Sequence, residues 1–96
     1  MSYIEKVFRK VEKNGIGGIQ KIGNFSVESI YTKKGVKYTL IKNDLFIAVI
    51  NRDNCNKTIS INQIEKITIG DLKKLIPALF NVFPEFNILD ILGNEY

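Results

Sequence analysis

The residues best equipped for chemistry are basic and aromatic. Tyr31, Lys33, Lys34, Lys37 and Tyr38 fall within eight consecutive positions. Ammonium groups at that density attract phosphates in a salt-dependent and sequence-independent way. Tyrosine rings beside them offer surfaces on which bases stack. Lys6, Arg9, Lys10 and Lys13 form a second basic group at helical spacing. No RNP-like aromatic motif accompanies either group, so the pattern supports general nucleic-acid contact rather than a specific reader.

Other chemistries are largely closed to this chain. It has no histidine and a single cysteine, Cys55. An intramolecular disulfide, a zinc site of several Cys and His ligands, and His-based acid–base catalysis are therefore excluded. The acidic residues are scattered, without an H-x-E or D-x-D pair, and no G-x-S-x-G elbow is present. Gly15-Ile16-Gly17-Gly18, with Gly23 further on, invites a phosphate-loop reading. Such a loop needs a strand before it and a helix after it. Here the order is reversed, so the segment is expected to be a flexible helix-to-strand connection. The run from Asn51 to Lys57, NRDNCNK, lacks the acidic spacing and closing Glu of a calcium loop and reads as an Asx-rich turn. Cys55 is then an exposed, incidental thiol. No catalysis, cofactor or metal is expected.

These groups must be positioned by a small scaffold. The chain has 96 residues, 45% hydrophobic and 25% charged, with a formal charge of +4. Those values fit one globular domain over residues 1–96 with a single core. The amphipathic N-terminus lacks an apolar signal core, and no apolar run reaches membrane-span length. A cytoplasmic protein with no membrane partner is expected. Twelve of the fourteen basic residues are Lys, and Ile and Asn are abundant. An A·T-rich genome produces that bias, which with the small size suits an accessory protein of a phage or mobile element.

Ser2 to Lys13 reads as a helix capped by Ser2, with Ile4, Val7, Phe8 and Val11 on one stripe. Asn14-Gly15 ends it. Three β-rich runs follow from Asn24 to Arg52. A two-residue turn at Lys34-Gly35 pairs Tyr31 with Tyr38, and one at Asn43-Asp44 pairs Lys42 with Leu45, Leu40 with Ile47 and Tyr38 with Val49. That register places Phe25, Val27, Tyr31, Val36, Tyr38, Leu40, Leu45, Ile47 and Val49 on one face. The other face then carries Ile30, Ile41, Phe46, Ala48 and Ile50 among polar residues. Thr58 to Ile61 is a fourth strand. Thr68, with Asp71 three residues on, caps a helix over about Ile69 to Phe83 that contains Pro77. Pro84 ends that helix or opens a short third one closed by Gly93, leaving Asn94 to Tyr96 as a tail.

The expected fold is α+β: an N-terminal helix, an antiparallel four-stranded β-meander and a C-terminal helical segment. The order helix, three strands, helix resembles that of double-stranded-RNA-binding domains. That resemblance implies nucleic-acid contact through Tyr31, Lys33, Lys34, Lys37, Tyr38 and the basic side of the first helix. Compact bacterial RNase toxins share the size and basicity, but their strand-first order differs from a chain that opens with a helix.

Apolar residues on both sheet faces pose the sharper question. If the helices take one face each, the chain is a closed three-layer domain. If both helices take the same face, Ile30, Ile41, Phe46, Ala48 and Ile50 are left as an interface. The leading expectation is a non-enzymatic accessory or inhibitor protein that acts through protein contacts, most simply as a homodimer. A nucleic-acid-binding domain is the alternative.

Overall fold

The structure, a computed structural model, describes residues 1–90. Its elements are α1 (Tyr3–Asn14), β1 (Gly18–Ile22), β2 (Phe25–Tyr31), β3 (Gly35–Lys42), β4 (Leu45–Asp53), β5 (Thr58–Ile64), α2 (Ile69–Val82) and β6 (Asn87–Leu89). The class is α+β, with two helices and a mostly antiparallel sheet. The sheet has six strands in sequence order rather than four. Only β6 is parallel to its neighbour, β5, and α2 makes that crossover.

The first helix forms as its sequence dictates. Ser2 Oγ accepts the Glu5 N–H at 3.2 Å, which satisfies one of the free donors of the first turn. Ile4, Val7, Phe8 and Val11 are all fully buried. At the far end the Gly15 N–H donates to the Val11 carbonyl, and Gly15 takes φ +96°.

The following segment is a strand, not a flexible connection. Gly17 and Gly18 also hold positive φ and turn the chain back along β2, where Ser29 Oγ accepts the Gly17 N–H. The short run Gly-Ile-Gln-Lys-Ile then pairs with β2 through a turn at Gly23-Asn24. The C-terminal segment differs in a similar way. Residues 87–89 extend the sheet beside β5 instead of opening a third helix. Gly93 and Asn94 to Tyr96 lie outside the described residues.

The two hairpin turns of the central meander behave differently. Asn43 and Asp44 both take positive φ, 51° and 63°, as a two-residue hairpin turn requires. Lys34 and Gly35 do not form such a turn. Tyr31 pairs with Val36, Ser29 with Tyr38, and the loop closes when the Thr32 N–H donates to the Gly35 carbonyl. Gly35 serves a different purpose, because a Cβ there would collide with the backbone carbonyl oxygen of Arg52. The register shift is two residues, so β2 keeps its faces.

In β4 the shift is one residue, and it matters. Lys42 pairs with Leu45 and Ile41 with Phe46, but Leu40 then pairs with Ala48 and Tyr38 with Ile50. Ile47 is the extra residue of a β-bulge. A slip of one residue exchanges the faces of everything beyond it. Ala48 and Ile50 therefore point toward the helices, and Val49 points away. A second bulge at Asn62 keeps β5 in phase, with Ile50 opposite Ile61 and Val49 opposite Gln63.

Both helices lie on the same face of the sheet. Phe8 of α1 and Phe83 after α2 each meet the Tyr38 ring, at 5.4 and 5.7 Å between centroids. The core also holds Val27, Leu40, Ile50, Ile59, Ile61, Leu75, Leu79 and Ile88. Polar contacts help to fix α2. Lys42 Nζ lies 2.7 Å from the Asp71 carboxylate at the start of α2. Thr68 Oγ1 accepts the Asp71 N–H there, which completes the cap. Asn81 Nδ2 donates to Glu5 Oε1 at 2.9 Å, joining α2 to α1. Pro77 sits inside α2 on its exposed side. No described helix is long and apolar enough to cross a membrane.

Candidate functional site

With both helices on one side, the sheet presents a helix-free face. Ile30 is 48% exposed there and Ile19 of β1 is 59% exposed. Ile41 and Phe46 are cross-strand partners, both half-buried. Val49, next along β4 on this face, is shielded by its neighbours and buried. These residues alternate with Lys21, Glu28, Lys37 and Thr39, whose pairings with Ser26, Ile19, Ile30 and Val49 place them on the same side.

Of the five residues expected to form an interface, the structure places three on one face, with only Ile41 and Phe46 adjacent. Ile30, Ile41 and Phe46 share the helix-free face. Ala48 and Ile50 do not: both are fully buried in the core beneath the helices, because the bulge at Ile47 reverses that part of β4. Ile19 and Val49 take their places. Ile19 carried no face signal, since in Ile-Gln-Lys-Ile the two isoleucines are three positions apart and point to opposite sides of a strand. Val49 carried no signal in a run that is apolar throughout.

The basic residues divide into two groups that do not form one surface. Lys6, Arg9, Lys10 and Lys13 belong to α1, on the helix side of the sheet, whereas Lys37 lies on the other side. Several α1 cations are already engaged. Arg9 Nε pairs with Glu5 at 3.1 Å, Lys10 Nζ donates to the Lys21 carbonyl at 3.1 Å, and Lys6 Nζ lies 5.4 Å from the Tyr3 ring centroid. Tyr38 is in the core, not at the surface. Its ring is fully buried and its hydroxyl donates to Glu12 Oε2 at 3.0 Å. Burial and the Glu12 charge together push the phenol well above its ordinary value. Tyr31 is 74% exposed at the end of β2.

Arg52, one of only two arginines, organises the helix side of this end. Its guanidinium pairs with Glu12 Oε1 at 2.7 Å and lies 5.6 Å from the Phe83 ring centroid and 6.0 Å from those of Tyr38 and Phe86. A flat cation among aromatic faces contributes through cation–π attraction. The chain pattern gave no sign of it, since its partners come from α1, β3 and the segment after α2.

On the helix-free side of the same end lies a hollow of about 390 Å³. Thr32, Lys33 and Lys34 of the β2–β3 turn, Asn51, Arg52 and Asp53 of β4, and Thr58 and Ser60 of β5 line it. The Asx turn expected over Asn51 to Lys57 is shorter, because Asn51 to Asp53 continue β4; Asp53 Oδ1 accepts the N–H groups of Cys55 and Asn56, and Oδ2 accepts from the Asn56 side chain. Those bonds hold the Asp53 carboxyl below its ordinary value. Cys55 is exposed in that turn. Among the described residues no cluster of His, Cys, Asp and Glu is placed to hold a metal ion.

Comparison with known proteins found no matching family model, no matching curated protein and no matching solved structure.

Proposed function

We propose that this is a non-enzymatic interaction protein that works through the helix-free face of its sheet, and that the first occupant of that face is a second copy of the chain. The observation that carries this reading is the placement of α1 and α2 on one side, with Ile19, Ile30, Ile41 and Phe46 left on the other. A helix-free antiparallel face is ordinarily polar, and here exposed apolar side chains are interspersed with polar ones, a mixture that non-obligate interfaces carry. The charges favour self-association. Lys21 and Lys37 share the face with Glu28, so a two-fold arrangement can set each Glu28 against a lysine of its partner, with one lysine per copy left facing solvent. A partner of uniform charge would leave one sign unmatched.

The test uses two substitutions on that face, Ile30→Lys and Phe46→Lys, each read by light scattering. Either should convert a self-associating protein into a folded monomer. A pair of variants that self-associate as the native chain does would remove the helix-free face from the account. Nucleic-acid binding through Lys33, Lys34 and Lys37 is the second reading. It is favoured by the convergence of Lys33 and Lys34 on one hollow, and salt-sensitive retention on nucleic acid, lost when all three become Glu, would support it.

A further inference from the structure

The hollow at the end of the β2–β3 hairpin lies on the helix-free side, in the cross-strand row that runs from Ile30 through Lys37 and Asn51 to Ser60. Its floor is made of cross-strand neighbours, Asn51 opposite Ser60 and Asp53 opposite Thr58. Its wall is the turn that carries Lys33 and Lys34. That turn is tied down on both flanks. The Lys34 carbonyl accepts the Asn54 N–H at 2.8 Å, Thr32 Oγ1 accepts the Gly35 N–H at 3.1 Å, and Gly35 packs against the Arg52 backbone. A fixed turn holds its cations near the strands before any ligand arrives, which lowers the ordering cost of binding.

The free groups all have one character. Among the described residues, the side chains of Lys33, Lys34, Asn51, Thr58 and Ser60 make no other hydrogen bond or ion pair. Each can donate. The one carboxylate in the lining, Asp53, accepts the hydrogen bonds of its own turn and also feels the charge of Lys34, and the Arg52 guanidinium pairs with Glu12. Lys33, Lys34 and three neutral donors, set against the single Asp53 carboxylate around a space of about 390 Å³, leave a net positive lining that suits an anion with several acceptor oxygens. That volume is of small-molecule size.

We propose that this hollow binds the phosphate group of a small polar molecule. Lys33 and Lys34 neutralise the charge, and Asn51, Thr58 and Ser60 donate to the oxygens. The hollow shares the helix-free side with the surface proposed for self-association, two strands from Ile30, so the titration is run at a concentration where the chain is monomeric.

The test is an amide NMR titration of the full chain with three probes: ribose 5-phosphate, ribose, and a ten-nucleotide deoxythymidine strand. Ribose 5-phosphate should give saturable shifts at Asn51, Thr58 and Ser60, and ribose should give none. Lys33→Glu with Lys34→Glu, and separately Thr58→Val with Ser60→Ala, should each weaken binding by roughly tenfold or more. Lys73→Glu with Lys74→Glu, the same charge change on α2, should leave it unchanged. Ser60→Ala alone serves if either double variant loses its dispersed spectrum, and should still weaken binding. Absence of saturable shifts overturns the proposal, as does an equal loss in the α2 variant. Binding of the deoxythymidine strand without binding of ribose 5-phosphate also overturns it, because the lysines would then track a backbone by charge alone.

Discussion

Ile50 is the residue on which the bulge in β4 can be tested by stability. Its side chain is fully buried, opposite Tyr38 on one side and Ile61 on the other. Truncation to Ala removes three carbons from that site, worth ~2.4 kcal/mol at about 0.8 kcal/mol per buried methylene. The void adds to this. If ~50 Å³ remains open after relaxation, ~24 cal/mol per Å³ contributes a further ~1.2 kcal/mol. Ile50→Ala should therefore cost roughly 3–4 kcal/mol, a large share of the 5–15 kcal/mol typical of small domains. Ile30→Ala, at a site nearly half exposed, should cost less than about 1 kcal/mol. Urea unfolding followed by far-UV circular dichroism measures both at one protein concentration. Without the bulge, Ile50 would share the helix-free face with Ile30, and the two variants would cost similar amounts. An Ile50→Ala cost below about 1 kcal/mol would refute the register and the face assignment derived from it.

Three other perturbations have directions fixed by the structure. Gly35→Ala places a Cβ against the Arg52 carbonyl and should cost about 1–3 kcal/mol in the same urea experiment; a neutral result would mean the turn is not packed against β4. Tyr38 has a folded-state pKa raised above the ordinary 10.0, so the unfolded chain releases that proton first as pH rises. Its contribution is complete below pH 10 and lost above it, and unfolding free energy should fall in the alkaline range. In Tyr38→Phe that fall should be smaller. Glu5 runs the other way: the hydrogen bond from Asn81, then Arg9, hold its carboxyl below the ordinary 4.5 against the opposing effect of burial. Its contribution is present above pH 4.5 and lost on acidification. Asn81→Ala should cost about 1 kcal/mol at neutral pH, and the gap from the native chain should narrow as pH falls below 4.5.

What could be read from the chain follows from how local each signal is. The first helix was legible because Ser2 and the stripe from Ile4 to Val11 are cap and period within twelve residues. The Asn43-Asp44 turn and the Thr68 cap were legible for the same reason. The bulge was not. Leu45 to Ile50 is apolar at every position, so it carries no alternation to fix a phase, and only packing against Tyr38 and Ile61 sets it. β1 and β6 escaped because five and three residues carry little propensity, and each exists by pairing with a longer neighbour. Tyr38 was placed with the surface lysines on adjacency, yet its ring lies under Phe8 and Phe83, from elements far away in sequence. The hollow joins three separate segments; Lys33 and Lys34 stood out as cations, Asn51 to Asp53 only as part of an Asx-rich run, and Thr58 and Ser60 not at all.

The central claim is that the helix-free face joins two copies of the chain. Sedimentation equilibrium of the native protein, over a wide range of loading concentrations, tests it most directly. The account predicts a weight-average mass that rises from 11.0 kDa toward twice that value as concentration increases. A mass that stays at 11.0 kDa up to the highest concentration would contradict it.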